Sequence, residues 1–260
     1  MKKTENLYKK YNSLSKHQSL LLNAVGDFLL FSTQKIKRTT GWKEATIRNT
    51  LLSLKKKGFI FAVKKDNYVL TINIPEHIFK IATSITAPSY ISFWTACSYY
   101  GWSEQQIKTI QVVSTKQFPK IQIGHYGVVE TTTMLTKRMF GYCSIKNTPI
   151  AEKERLIVDM MYKPEKSGGL AELKSCIAKG WLEINQKKLF LYLKQFSDKA
   201  LFARLGYLLE EQHLNNSMEK AFLKNIPESY TPLCRQYITD KKDNEKIKYN
   251  HKWRIAVNDE

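Results

Sequence analysis

The sequence is poor in acidic residues, with 23 Asp and Glu against 42 Lys and Arg in 260 residues, a formal net charge of +19. Such an excess opposes compaction by self-repulsion and favours polyanionic partners, nucleic acid first and an anionic membrane surface second. Cysteine is sparse as well. Cys97, Cys143, Cys176 and Cys234 are separated by 33 to 58 residues, and there is no CxxC pair. This spacing excludes a metal clip, and a disulfide framework does not suit a chain of this length. The expectation is four thiols in a reduced, cytoplasmic protein. Long apolar runs are missing too. The longest, Leu20 to Phe31, is interrupted by Asn23, Gly26 and Asp27. It is too short to span a bilayer, and no small-x-small cleavage site follows it, so neither a membrane span nor a signal peptide is expected. The glycine motifs that cradle nucleotide phosphates, GxxxxGK[ST] and GxGxxG, do not occur.

The hydrophobic share of 43% and the aromatic share of 12% are enough to build a core and exclude wholesale disorder. The charge is unevenly placed. Residues 1–75 hold 15 basic and 4 acidic residues, an excess of +11, whereas residues 76–260 hold 27 and 19, an excess of +8. This asymmetry predicts an N-terminal nucleic-acid module over 1–75 joined to a larger domain over 76–260.

The first segment has a legible pattern. Ser13 or Ser15 is placed to cap a helix from about Lys16 to Phe31, with Leu21, Leu22, Val25, Phe28 and Leu29 at helical spacing. A short second helix, Thr33 to Thr40, turns Ile36 inward, and Gly41 permits a tight turn because it lacks a Cβ. A third helix, about Glu44 to Lys57, buries Ile47, Leu51 and Leu54 at i, i+4 and i+7. Two apolar runs, Phe59–Val63 and Tyr68–Ile72, then flank Lys64-Lys65-Asp66-Asn67, which reads as a β-hairpin with a basic tip.

Three helices followed by a basic hairpin is the order of a winged helix-turn-helix. In such a module the third helix enters the major groove of double-stranded DNA. Lys43, Thr46, Asn49, Thr50 and Ser53 would face outward from it, with Arg48 at the margin. Arg and Asn make the paired hydrogen bonds that separate one base from another, and Thr offers a hydroxyl and a methyl. Lys37, Arg38, Lys64 and Lys65 would meet phosphates on either side.

Beyond Pro75 the texture changes. Glu76–Thr83 and Phe93–Tyr100 read as helices, the second capped by Ser92 and ended by Gly101. Lys108–Ser114 and Lys120–Thr133 are rich in Ile, Val, Thr and Tyr and read as strands, followed by strand and loop over 138–150. Helices are expected over Glu152–Tyr162, Leu170–Lys179, Lys187–Phe196, Asp198–Gln212 and Met218–Asn225. Residues 239–250 read as a mobile polar loop and Trp253–Val257 as a last strand. The expected class is α+β, an N-terminal winged helix-turn-helix followed by a larger mixed α+β domain.

Several blocks in this larger domain resemble the AbiEi antitoxins of type IV toxin–antitoxin and abortive-infection systems. They are Tyr90-Ile91-Ser92 through Ala96-Cys97-Ser98-Tyr99-Tyr100-Gly101, Ile150 through Arg155 with Asp159, Gly168-Gly169, Arg204 through Glu210, and Trp253 through Asn258. One block departs from the family: Ala151-Glu152-Lys153-Glu154 stands where Pro-Glu-Lys-Ala is usual. The resemblance implies a repressor that binds inverted repeats in its own operator, with homodimerisation on DNA. It also implies an antitoxin that counteracts a nucleotidyltransferase-like toxin without forming a stable complex with it.

An enzyme is the rival class. A metal-dependent nuclease or nucleotidyl-processing enzyme would need clustered carboxylates. Glu130, Glu152, Asp159 and Glu172 are available but not at tight spacing, and the five histidines are scattered. No catalytic residue, metal ligand or cofactor is therefore assigned. The block Tyr90, Phe93, Trp94, Tyr99, Tyr100 and Trp102 reads as core rather than as a base-stacking surface, and Arg204, Arg235, Lys252 and Arg254 are candidates for a second basic face.

Overall fold

The computed structural model describes residues 14–105, 108–234 and 247–258. The chain divides into two compact units. The first comprises residues up to Ile85 together with Lys120–Val129; the second comprises Thr86–Pro119 and the chain from Glu130 on. The division therefore falls ten residues later than the composition shift at 75/76, and it is not contiguous.

In the first unit, α1 (Lys16–Val25), α2 (Thr33–Thr40) and α3 (Glu44–Lys56) precede the antiparallel strands β1 (Ile60–Lys64) and β2 (Asn67–Leu70). Helix α1 starts at a capping box, in which the Ser15 hydroxyl accepts from the Gln18 N–H and the Gln18 side chain accepts from the Ser15 N–H. It ends at Val25, six residues before the expected Phe31, where Gly26 and Asp27 interrupt the apolar repeat. The chain then runs to Phe31, which pairs with Tyr68 through two backbone hydrogen bonds of 2.9 and 3.0 Å. Gly41 ends α2 at φ 71°, in the left-handed region that a residue without Cβ enters freely. Leu21, Val25, Phe31, Ile36, Ile47, Leu51, Leu54 and Ile60 close into one core. Burial of each such side chain contributes about 1.5–3 kcal/mol. Helix α4 (Ile74–Ile85) and the hairpin of β5 (Ile121–Ile123) with the start of β6 (Gly127–Thr133) complete this unit.

The second unit is mixed α+β. The strands β3 (Ser89–Ile91), β4 (Thr109–Ser114), β7 (Tyr142–Ile145) and β8 (Thr148–Ala151) join β6 in the order β6-β4-β3-β8-β7. Strand β3 runs parallel to β8 and antiparallel to β4. The helices are α5 (Phe93–Tyr99), α6 (Lys153–Tyr162), α7 (Leu170–Trp181), α8 (Gln186–Phe196), α9 (Lys199–Glu211) and α10 (Glu219–Leu223). Helix α6 is central. All its residues from Glu154 to Met161 are buried, and it packs on α5, α7, α8 and α9. Strands β9 (Thr231–Pro232), β10 (Ile247–Asn250) and β11 (Ile255–Asn258) form a second small sheet. The expected loop over 239–250 is thus a strand from Ile247 on, where Ile247 to Asn250 pair in turn with Asn258 to Ile255 of β11; its earlier part lies outside the described residues.

Glu154, the departure noted in the sequence, is buried at the start of α6. One of its oxygens accepts from the Asn185 N–H at 2.9 Å and the other meets Lys188 at 3.2 Å, so a carboxylate here ties α6 to the cap of α8. Gly168 (φ 82°) passes beneath the Trp94 indole. A Cβ there would lie 2.7 Å from the ring, so the Gly168-Gly169 pair is a close-approach turn before α7.

Candidate nucleic-acid interface

Helix α3 turns Ile47, Leu51 and Leu54 into the core, which leaves Ala45, Arg48, Asn49, Leu52, Lys55 and Lys56 along its exposed side. Of the residues expected to face a partner, Lys43, Arg48 and Asn49 are exposed and Thr46 is half-buried. Lys37 and Arg38 are exposed in the last turn of α2, and Lys64 and Lys65 are exposed at the β1–β2 turn. All six of the expected cations are therefore exposed, and Arg48 and Lys65 line one groove beside α3.

Thr50 is a correction. Its residual exposure is 7%, and its hydroxyl donates to the Thr46 carbonyl at 2.8 Å. The position lies three residues from Ile47, and so it follows the buried stripe rather than the outward one. Ser53 is also engaged inside the unit. Its hydroxyl accepts from Gln18 Nε2 at 2.6 Å, while Lys57 Nζ donates to Gln18 Oε1 at 2.9 Å. Gln18 thus fastens the C-terminal half of α3 to α1.

Arg48 forms an ion pair with Glu44 one turn earlier, at 2.5 Å, with both side chains largely exposed. An exposed pair of this kind costs little to open, so the guanidinium remains available to a partner. Asp66, at the tip of the hairpin, adopts φ 53° and accepts from the backbone N–H of Thr33 (3.0 Å) and from its hydroxyl (2.5 Å). This clamp holds the turn carrying Lys64 and Lys65 against the start of α2. Leu52 and Lys55, on the same exposed side of α3, were not expected at the interface. Their spacing of i+4 and i+7 from Arg48 is the signal that could have found them.

The second unit treats its charges differently. Arg204 is 1% exposed and donates to the carbonyls of Met161 (2.7 Å) and Pro232 (2.9 Å). Lys252 bridges Glu210 and Glu219, both at 2.7 Å, and Arg254 donates to the carbonyls of Pro227 and Glu228. Buried or locally paired cations do not make a basic face, and Arg235 lies outside the described residues. Among the carboxylates of the rival enzyme reading, Asp159 is fully buried. Its Oδ1 accepts from Arg155 Nε and Nη2, and its Oδ2 accepts from the hydroxyls of Tyr90 (3.0 Å) and Ser92 (2.7 Å). Ser92 occupies the N-cap of α5 as expected, but its hydroxyl serves Asp159 instead of the helix. Glu130 pairs with Lys166, Glu152 with Tyr192 and Lys188, and Glu172 with Ser103, Trp94 and Gln105.

The chain is similar in fold to the RV2827C protein from Mycobacterium tuberculosis. The TM-score is 0.66 at 11% identity, over 94% of this chain and 92% of that one. At that identity the likeness concerns the fold alone. No family model matches the chain, and no curated protein matches it. Among the described residues, no helix is long and apolar enough to cross a membrane.

Proposed function

We propose that the first unit is a winged helix-turn-helix and that the protein is a sequence-specific DNA-binding repressor. The observation that carries this reading is the exposed side of α3 with Arg48 and Asn49, together with the exposed cations Lys37 and Arg38 on α2 and Lys64 and Lys65 on the hairpin. An exposed helix admits base readout in a major groove about 12 Å wide, and exposed cations on the neighbouring helix and hairpin suit phosphate contacts. The Phe31–Tyr68 bridge supports the same reading, since it adds a third short pairing partner to the β1–β2 wing. The resemblance of the larger domain to AbiEi antitoxins suggests the biological setting. In that setting the protein represses its own operon at inverted repeats and counteracts a nucleotidyltransferase-like toxin.

The test is a footprint of the full chain on the DNA upstream of its own gene. Protection of an inverted repeat at protein concentrations that leave random DNA open is the expected result. Equal protection of both would overturn the repressor reading. A nucleotidyltransferase-like reading frame next door is expected if the antitoxin setting holds.

A further inference from the structure

An open groove of about 420 Å³ lies between α3 and the β1–β2 hairpin, wholly within the first unit. Its size falls in the range of small-molecule sites. Its walls combine two chemistries. Leu51, Leu52, Ala62 and the ring of Tyr68 supply an apolar surface, while Arg48, Lys55 and Lys65 bring cationic groups to it. Leu52 is 58% exposed, and an apolar wall open to solvent is not what a DNA backbone would require. The Tyr68 ring stacks on Phe31, 6.0 Å between centroids, which packs this wall against the core of the unit. Burial, aided by the Asp66 carboxylate and opposed by Arg48, keeps the phenol above its usual range and therefore neutral.

Charge decides which ligand suits the groove. Three cations face two carboxylates, Glu44 and Asp66, an excess of one positive charge. Both carboxylates are committed, Glu44 to Arg48 and Asp66 to Thr33, whereas Lys55 and Lys65 pair with no carboxylate among the described residues. We infer that this groove binds a small organic monoanion with an apolar body, an aryl or acyl carboxylate, and that occupancy competes with DNA. The competition rests on the DNA-binding reading, because Arg48 and Lys65 serve both; the ligand site itself does not. A carboxylate between these cations would neutralise the charge that phosphates otherwise meet, and its body would fill the space between helix and wing.

Calorimetric titration of the full chain with three probes tests the site. These are 2-naphthoate, which carries both features, 2-naphthalenemethanol, which lacks the charge, and inorganic phosphate, which lacks the apolar body. The expected result is one molar equivalent of 2-naphthoate bound, with each of the other two at least about tenfold weaker. Leu52→Asp, at an exposed position, should weaken 2-naphthoate about tenfold or more without moving the thermal midpoint. Lys55→Gln should weaken the carboxylate but not the alcohol. Absent binding, insensitivity to both substitutions, or equal affinity for phosphate would overturn the site. Retention of a DNA duplex is then measured with and without 2-naphthoate. Displacement supports the competition, and undiminished retention at saturating 2-naphthoate overturns it. A protein that binds 2-naphthoate yet retains no DNA at all would overturn the repressor reading and the competition with it, while the ligand site would stand.

Discussion

Arg155 and Asp159 lie one turn apart on α6, with Nε and Nη2 of the guanidinium 3.0 and 2.8 Å from the same carboxylate oxygen and neither side chain exposed. The pair draws in its surroundings. Tyr90 from β3 and Ser92 at the start of α5 donate to the other oxygen of Asp159. Arg155 also donates to the Arg138 carbonyl at 2.7 Å and sits over the rings of Phe140 and Phe196. An ion pair so fully desolvated contributes little beyond well-packed apolar residues, but losing one partner leaves a buried charge. Asp159→Ala is therefore expected to cost about 3–5 kcal/mol in urea unfolding, and the double replacement Arg155→Met, Asp159→Leu less than that single change. A cost near zero for Asp159→Ala would show that the Arg155 charge is not left buried and unpaired.

On the DNA reading, substitutions in the first unit should separate by their salt dependence. Arg48→Ala or Asn49→Ala is expected to cost on the order of 1–3 kcal/mol on the operator and to relax discrimination between sequences. Lys65→Ala should weaken every duplex alike and lower the slope of log affinity against log salt by about one. Unchanged affinity in all three would reject this docking.

Thr50 provides a sharper check because the structure moved it inside. Thr50→Val preserves the shape and removes only a hydroxyl that donates to its own helix at Thr46. DNA affinity should be unchanged, within about 0.5 kcal/mol. A loss as large as that of Asn49→Ala would mean that α3 is rotated from the orientation described.

Gly206 in α9 lies beneath the Trp253 indole, so that a Cβ at 206 would overlap the ring. Trp253 is 1% exposed, and its Nε1 donates to Glu210 Oε2 at 2.5 Å. Gly206→Ala improves helix propensity by about 1 kcal/mol but must displace this ring. Net destabilisation of about 1–3 kcal/mol is expected, read as a lower thermal midpoint. A stabilised variant would show that the indole has somewhere else to go.

Acid should loosen the second unit through Glu152. Burial alone would raise its carboxyl, but the Tyr192 hydroxyl and the Lys188 ammonium more than reverse that and hold it below its ordinary value of 4.5. A depressed carboxylate stabilises the fold above its unfolded value, and this contribution is lost as pH falls through the folded one. Glu152→Gln should be less stable than the parent at pH 7 and show a shallower decline below about pH 5. Parallel stability curves for the two proteins would contradict this.

Much of the first unit was legible from local rules. The spacing of Ile47, Leu51 and Leu54 located α3 to within a residue of its end, Gly41 marked the turn before it, and Lys64 through Asn67 marked the hairpin tip. These features depend on periodicity and on backbone freedom, which neighbouring residues carry themselves. Helix α1 was overextended because apolar residues resume at Phe28 after the interruption at Gly26 and Asp27, and only the Phe31–Tyr68 bridge shows where the following segment belongs. Of the outward set on α3, Lys43 and Asn49 are exposed and Thr50 is buried, while Arg48, expected at the margin, is exposed, since a rotation of one residue in the helix decides between surface and interior.

By itself, then, the sequence determined the class of elements, their order in the first unit and the concentration of positive charge there. It could not distribute the charges of the second unit. Asp159 resembled a candidate metal ligand, and Arg204 a candidate surface cation, until partners 67 to 69 and 28 to 43 residues away were brought against them. Whether a charged group faces solvent or a buried partner depends on desolvation and on long-range contacts. Tertiary packing alone supplies both, and it alone assembled the groove between α3 and the hairpin, whose walls come from separate stretches of chain.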